Sequence, residues 1–105
     1  MPDTYKVLYQ GQLSTASGVI YTVPSGTQAI VKTMRIVNTS ASSATIKLWQ
    51  GGSADSNVIL PSTSIDAGGF AEFEGTITMA ASTTLVAQAG AATSITLTVY
   101  GLEVS

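Results

Sequence analysis

The chain has 105 residues, of which only four are basic and six acidic, and it contains neither histidine nor cysteine. Histidine is the side chain that titrates nearest to neutral pH, and cysteine is the strongest intrinsic nucleophile and a preferred zinc ligand. Their absence excludes Cys–His dyads, Ser–His–Asp triads and nearly all zinc sites. We therefore expect a structural or binding protein without catalytic residues, cofactor or metal.

Charge and hydropathy also limit the partners. Soluble domains usually carry about 25% charged residues, whereas this chain carries 10%, with a net charge of −2. A neutral surface of this kind presents little electrostatic barrier to association with other protein. The four basic residues are scattered, which argues against a nucleic-acid partner. No apolar run is long enough for a membrane-spanning helix, and the chain does not start with an export signal.

Apolar and polar residues alternate almost throughout, which predicts an all-β protein. About eight strands at this spacing are typical of a single-domain β-sandwich over residues 1–105, and we expect a jelly-roll-like arrangement. The predicted strands are Lys6–Leu13, Gly18–Val23, Gln28–Asn38, Ala44–Trp49, Asn57–Pro61, Phe70–Met79, Thr84–Ala89 and Thr93–Val104.

Residues 1–5 precede the first periodic strand. Pro2 and Asp3 have no turn partners of their own in the sequence. We expect Met1–Tyr5 to form an N-terminal arm that is mobile in the isolated chain and ordered against a neighbouring subunit.

Two strands show a break in their alternation. In Gln28–Asn38, Val31 is out of phase with Met34 and Ile36, and a β-bulge near Lys32 would turn all three inward. In the last strand, Gly101 interrupts the pattern, which predicts a second bulge centred on that glycine.

Strand Ala44–Trp49 places Ile46 and Leu48 on one face and Trp49, the only tryptophan, on the polar face. Tyr100 also falls on a predicted outer face. Aromatic side chains are enriched at protein interfaces. The candidate residues for an interface with another subunit or a partner protein are Trp49, Tyr100, Val86, Tyr5 and Tyr9. The aromatic residues Tyr5, Tyr9, Tyr21, Trp49 and Tyr100 also raise the alternative of a sugar-stacking platform.

Glu72 and Glu74 are two residues apart on one strand face, which is a spacing that paired catalytic carboxylates or calcium ligands would use. The oxygen-rich loop Asp55–Asn57 raises a similar question. Acidic residues also keep an outer strand face hydrated and discourage edge pairing, and we favour that interpretation.

The run Tyr21–Ser40 resembles a pattern in small virion proteins of tailed phages, in which a Tyr-x-Val-Pro-x-Gly turn leads into a long strand that ends in Asn. The segments Ala67–Phe70, Gly75–Ala81 and Val99–Val104 are similar to the same group. Such proteins include capsid decoration (cement) proteins with a jelly-roll or related fold, commonly trimeric, and also tail and fibre components. The resemblance implies no catalytic residues.

The resemblance therefore implies a phage capsid decoration protein that self-associates as a homotrimer and binds the major capsid protein. It would be assembled in the host cytoplasm and lie on the exterior of the capsid. A tail, baseplate or fibre component is the second interpretation. A carbohydrate-binding module for attachment to a host surface is the third.

Overall fold

The computed structural model of the protein describes residues 3–52 and 54–104, which form eight β-strands and one 3-10 turn at Asp55–Asn57. The strands are β1 (Asp3–Gln12), β2 (Gly18–Thr22), β3 (Gln28–Asn38), β4 (Ala44–Gln50), β5 (Val58–Ile65), β6 (Phe70–Met79), β7 (Thr84–Ala89) and β8 (Ile95–Val104). The predicted all-β class is confirmed, and β3, β6 and β7 have the predicted bounds. Helical structure within the described ranges is too short and too polar to cross a lipid bilayer.

The strands form two four-stranded antiparallel sheets. Sheet A has the order β1-β8-β3-β6, and sheet B has the order β2-β7-β4-β5. The chain passes from one sheet to the other at most connections, so that strands distant in sequence become neighbours. This interleaved order of eight strands is that of a jelly roll, as predicted.

The apolar core lies between the two sheets. Successive side chains of a strand point to opposite faces, so each strand contributes about every second residue to this core. Fully buried residues come from both sheets: Ile36, Leu97 and Val99 from sheet A, and Ile46, Leu48 and Leu85 from sheet B. Burial of one such side chain stabilises the fold by about 1.5–3 kcal/mol.

The strand pairing of sheet A is irregular on both sides of Tyr100 in β8. There, β1 and β3 each have one residue more than β8, namely Leu8 in β1 and Lys32 in β3. The extra residue in β3 allows both Val31 and Met34 to be buried in the core. The predicted bulge at Lys32 is therefore confirmed. The bulge predicted at Gly101 is wrong, because the two neighbours of β8 carry the extra residues instead.

Gly101 lies in β8 beside Tyr100, close to both bulges, and is opposite Lys6 in β1 and Val31 in β3. A Cβ atom at this position would collide with the backbone carbonyl oxygen of Ile30 and would lie 3.0 Å from Cδ1 of Leu8. The main chains approach too closely for a side chain here, which is a common reason for glycine inside a strand.

Asn38, at the end of β3, is fully buried and connects the two sheets. Its Nδ2 donates to the carbonyl oxygen of Ser42 at 2.8 Å and to that of Ile65, in β5, at 3.0 Å. Its Oδ1 accepts from the main-chain N–H of Ser40 at 2.9 Å. A buried amide needs such partners, and these hydrogen bonds fix the loop after β3 against sheet B.

Residues 3–5 belong to the fold itself. Asp3 pairs with Val104, and Tyr5 pairs with Leu102, at the start of the ladder between β1 and β8. The predicted N-terminal arm is therefore wrong for residues 3–5, because their main chain continues sheet A. Met1 and Pro2 lie outside the described residues.

Replacing Gly101 by alanine is expected to lower the free energy of unfolding by about 1–3 kcal/mol, because the added methyl group forces the Ile30 carbonyl or the Leu8 side chain to move. Urea unfolding followed by tryptophan fluorescence measures this change. Gly18→Ala is the matched control, since no atom lies within 4 Å of a Cβ built at Gly18. Equal stability of the two variants would contradict the close approach at Gly101.

Candidate interaction surfaces

An uncharged apolar surface covers the outer face of sheet A beside edge strand β1. Val7 pairs with Tyr100, Tyr5 pairs with Leu102, and Leu102 pairs with Ile30 on its other side. Directly opposed residues of antiparallel strands point to the same face and contact each other. Tyr5 is 60% exposed and Val7 is 47% exposed. We call these five residues the β1 surface; it includes two predicted interface residues, Tyr5 and Tyr100.

The other half of the same outer face carries charge. Three residues of β3 lie opposite three residues of β6; we call these six residues the β3–β6 strip. The pairs are Val37 with Phe70, Arg35 with Glu72, and Thr33 with Glu74. Arg35 Nε lies 3.8 Å from Glu72 Oε2, and the Arg35 guanidinium carbon lies 5.1 Å from the centroid of the Phe70 ring. Phe70 is nevertheless 62% exposed.

The two acidic residues of the strip are exposed on one strand face, as the sequence predicts. Glu72 is engaged by Arg35. Within residues 3–52 and 54–104, no group of three or more His, Cys, Asp and Glu side chains is placed to hold a metal ion. The side chain of Asp55 lies outside the described part of the protein.

Trp49 lies on the outer face of sheet B, between Val86 of β7 and Val58 of β5. It is outside the core between the sheets, yet it is only 4% exposed. The Lys47 ammonium lies 5.2 Å from the ring centroid, in a cation–π arrangement. The predicted position of Trp49 on the outer face is correct. Trp49 and Val86 are nevertheless both buried in the single chain, because each lies on a central strand with a neighbouring strand on either side.

Tyr9 faces the core although Val7, two residues earlier, faces outward. The bulge at Leu8 reverses the phase of β1, so that Val7 pairs with Tyr100 while Tyr9 pairs with the buried Val99. An interface role for Tyr9 would require an outward-facing ring, whereas in the single chain the ring faces the core.

The five aromatic residues considered as a sugar platform do not share a surface. Tyr5 and Tyr100 lie on the outer face of sheet A, and Trp49 is buried on the other side of the sandwich. Tyr9 and Tyr21 pack against the core. Stacking on a sugar requires exposed rings in one plane, and the fold does not assemble these five rings in that way.

A polar cluster connects the sheets where β1, β2 and β8 meet. The Tyr21 hydroxyl donates to Glu103 Oε2 at 2.5 Å, and Lys6 Nζ lies 3.0 Å from Glu103 Oε1. The hydrogen bond from Tyr21, together with that from Lys6, holds the pKa of Glu103 below its usual range. Burial, together with the Glu103 carboxylate, raises the pKa of Tyr21 well above its ordinary value. Sequence pattern alone does not reveal this cluster, because Tyr21 and Lys6 are separated from Glu103 by 82 and 97 residues.

One hollow of about 410 Å³ opens at the end of the sandwich where β3 begins and β6 ends. It is lined by Gln28, Ala29, Ile30, Gln50, Thr78, Met79, Ala80 and Thr83. These side chains are all uncharged, and the Gln50 amide already donates to the Thr78 carbonyl oxygen at 3.0 Å. The hollow therefore offers neither a metal ligand set nor an activated nucleophile, and the exposed strand faces are the stronger candidates for function.

No protein-family model matches the chain, and no curated protein matches it. Solved structures do share its fold. A chain from the capsid of Helicobacter pylori bacteriophage KHP30 matches with a TM-score of 0.61 at 12% identity, over 98% of this chain and 87% of that chain. A chain from the disulfide-linked pili of Bacillus endospore appendages matches with a TM-score of 0.58 at 14% identity, over 99% and 87%. Tobacco streak virus coat protein matches with a TM-score of 0.50 at 10% identity, over 98% and 85%. At these identities the likeness establishes the fold alone.

Trp49→Ala is expected to lower the free energy of unfolding by about 3–5 kcal/mol, because it empties a buried site. Trp49→Phe is expected to cost much less, since the indole N–H has no hydrogen-bond partner among the described residues and its loss leaves no new unpaired group. Urea unfolding followed by far-UV circular dichroism measures both variants. An alanine variant as stable as the wild type would show that the ring does not contribute to the fold.

Glu103→Gln is expected to lower the melting temperature at pH 7 and to weaken its dependence on acid. The pKa of Glu103 is lower in the folded chain than in the unfolded chain, so its carboxylate stabilises the fold above the unfolded pKa of about 4.3. That stabilisation is lost as the pH falls through the folded pKa. Thermal melts from pH 2 to 8 test this, with Glu74→Gln as the exposed control. Parallel curves for the wild type and Glu103→Gln would contradict it.

Proposed function

We propose that this protein is a capsid decoration protein of a bacteriophage, which self-associates and binds the major capsid protein on the outside of the head. The observation that carries the proposal is the exposed, uncharged β1 surface, with Tyr5 60% and Val7 47% exposed. Apolar patches of this kind mark sites of contact with protein. The jelly-roll fold, shared with a phage capsid chain and a plant-virus coat protein, supports a structural role in a virion.

The β1 surface would act by adding buried area to the capsid. An aromatic side chain buries about 150–250 Å², so the exposed 60% of Tyr5 corresponds to roughly 90–150 Å². At about 25 cal/mol per Å², its burial contributes about 2–4 kcal/mol before the entropy lost on docking is subtracted. Contacts of this size become a firm attachment when several copies bind neighbouring capsid subunits at the same time.

A subunit of an appendage, tail or fibre is the second candidate, and the structural likeness to a chain of endospore appendages favours it. That appendage is disulfide-linked, whereas this chain has no cysteine. Any filament of this chain would therefore depend on non-covalent contacts. Electron microscopy of the purified protein, alone and with capsids, separates the two functions, since a fibre subunit forms open filaments and a decoration protein labels closed shells.

Val7→Lys is expected to weaken binding to capsids at least about tenfold while leaving the fold intact, because it places a charge in the apolar contact. Co-sedimentation with capsids of the phage that encodes the chain measures the affinity. Val19→Lys is the matched control, since Val19 is also an exposed strand valine, 58% against 47% for Val7, but lies on the outer face of sheet B. Equal binding by both variants would contradict a role for the β1 surface, and absence of binding by the wild type would contradict decoration.

A further inference from the structure

The β3–β6 strip has an unusual distribution of charge. Strand β3 carries two basic residues, Lys32 and Arg35, whereas its neighbour β6 carries two acidic residues, Glu72 and Glu74. The Arg35 and Glu72 side chains are 48% and 42% exposed, and their closest approach is 3.8 Å. Exposed pairs of this kind contribute about 0–1 kcal/mol to stability. The fold therefore gains little from an arrangement that keeps opposite charges on adjacent strands.

The strip is complementary to itself. If a second copy is turned onto it about a two-fold axis that runs parallel to the strands, between β3 and β6, then each β3 lies over the β6 of the other copy. The pairs within the chain show what meets at each level. Arg35 faces Glu72 of the second copy, and Thr33 faces Glu74 of the second copy. At the end of the strip, the exposed Phe70 ring faces the other copy's Val37.

We propose that the β3–β6 strip binds the same strip of a second copy of this chain in this two-fold arrangement. The inference rests on the proposed function, in which the protein self-associates, and it names the surface that does so. At the level of Arg35 and Glu72, four charges, two from each copy, alternate in sign around the axis, so each of these four has opposite neighbours. A partner surface with a single sign of charge would match only one of the two strands, which favours a second copy over an unrelated acidic or basic partner.

The size of the strip defines the kind of contact. Two strands that are about 4.8 Å apart, with five residues at about 3.4 Å each, cover roughly 160 Å² of sheet plane in each copy. Stable dimers bury about 800 Å² on each partner. The two-fold contact is therefore weak between free chains and becomes effective where other contacts, such as binding to a capsid, hold many copies close together.

Charge reversal tests the contact. Arg35→Glu and Glu72→Arg each bring like charges together across the axis, and each is expected to weaken self-association at least about tenfold. Sedimentation equilibrium up to millimolar concentration in low salt measures it. At concentrations where the wild type associates, each single variant should have half the wild-type mass.

An equimolar mixture of the two variants should recover the wild-type mass, because the two acidic positions of one then face the two basic positions of the other. The ion pair within each chain remains broken in that mixture and cannot explain recovery.

The double variant Arg35→Glu/Glu72→Arg is the matched control, because it keeps the wild-type net charge and is again complementary to itself; it should associate like the wild type. Single variants with the wild-type mass, a mixture that does not recover, or a wild type that stays at one chain would each overturn the two-fold contact. A trimeric mass that Arg35→Glu leaves unchanged would also overturn it. Capsid binding by the wild type leaves the decoration role standing in each of these cases, although a wild type that stays at one chain removes self-association from that role. Absence of capsid binding overturns the decoration role separately.

Discussion

The apolar core between the two sheets is the constraint on which the rest of this protein depends. It takes one side of each strand, so the phase of all eight strands must agree across both sheets. Where the alternation of β1 or β3 would place an apolar residue on the wrong side, one extra residue restores the phase. The outer faces are not fixed by this requirement. They are free to carry contact surfaces, and on sheet A they carry an apolar half and a charged half.

The two bulges show which irregularities of a strand can be predicted from the alternation of apolar and polar residues. At Lys32 the bulge could be predicted, because Val31 and Met34 are apolar, their neighbours are polar, and only an extra residue brings both inward. At Leu8 it could not, because Val7, Leu8 and Tyr9 are all apolar and any of them could face the core. The direction of Tyr9 is decided by its pairing with β8, which is a contact between residues far apart in sequence. Local pattern determines strand phase only where apolar and polar residues alternate.

Trp49 shows a second limit. Its direction follows from alternation with Ile46 and Leu48 and was predicted correctly. Its burial depends on Val58 and Val86, which come from the two flanking strands. Alternation within one strand contains no information on which strands lie beside it. The same reasoning explains why the polar cluster at Glu103 was missed, since its partners come from the opposite end of the chain. Secondary structure was largely predictable, whereas the membership of each surface required the topology.

The ladder between β1 and β8 begins with Asp3 opposite Val104. The first and last described strands therefore bring Asp3 and Val104 together at one corner of sheet A, where the Cα atoms of two paired residues are about 5 Å apart. A short linker between these two positions would close the chain without crossing either sheet, so new ends could be opened in a surface loop. Likewise, a peptide or fluorescent domain joined beside Asp3 or beside Val104 would be attached at the same corner of sheet A, which offers two neighbouring sites for labelling or display.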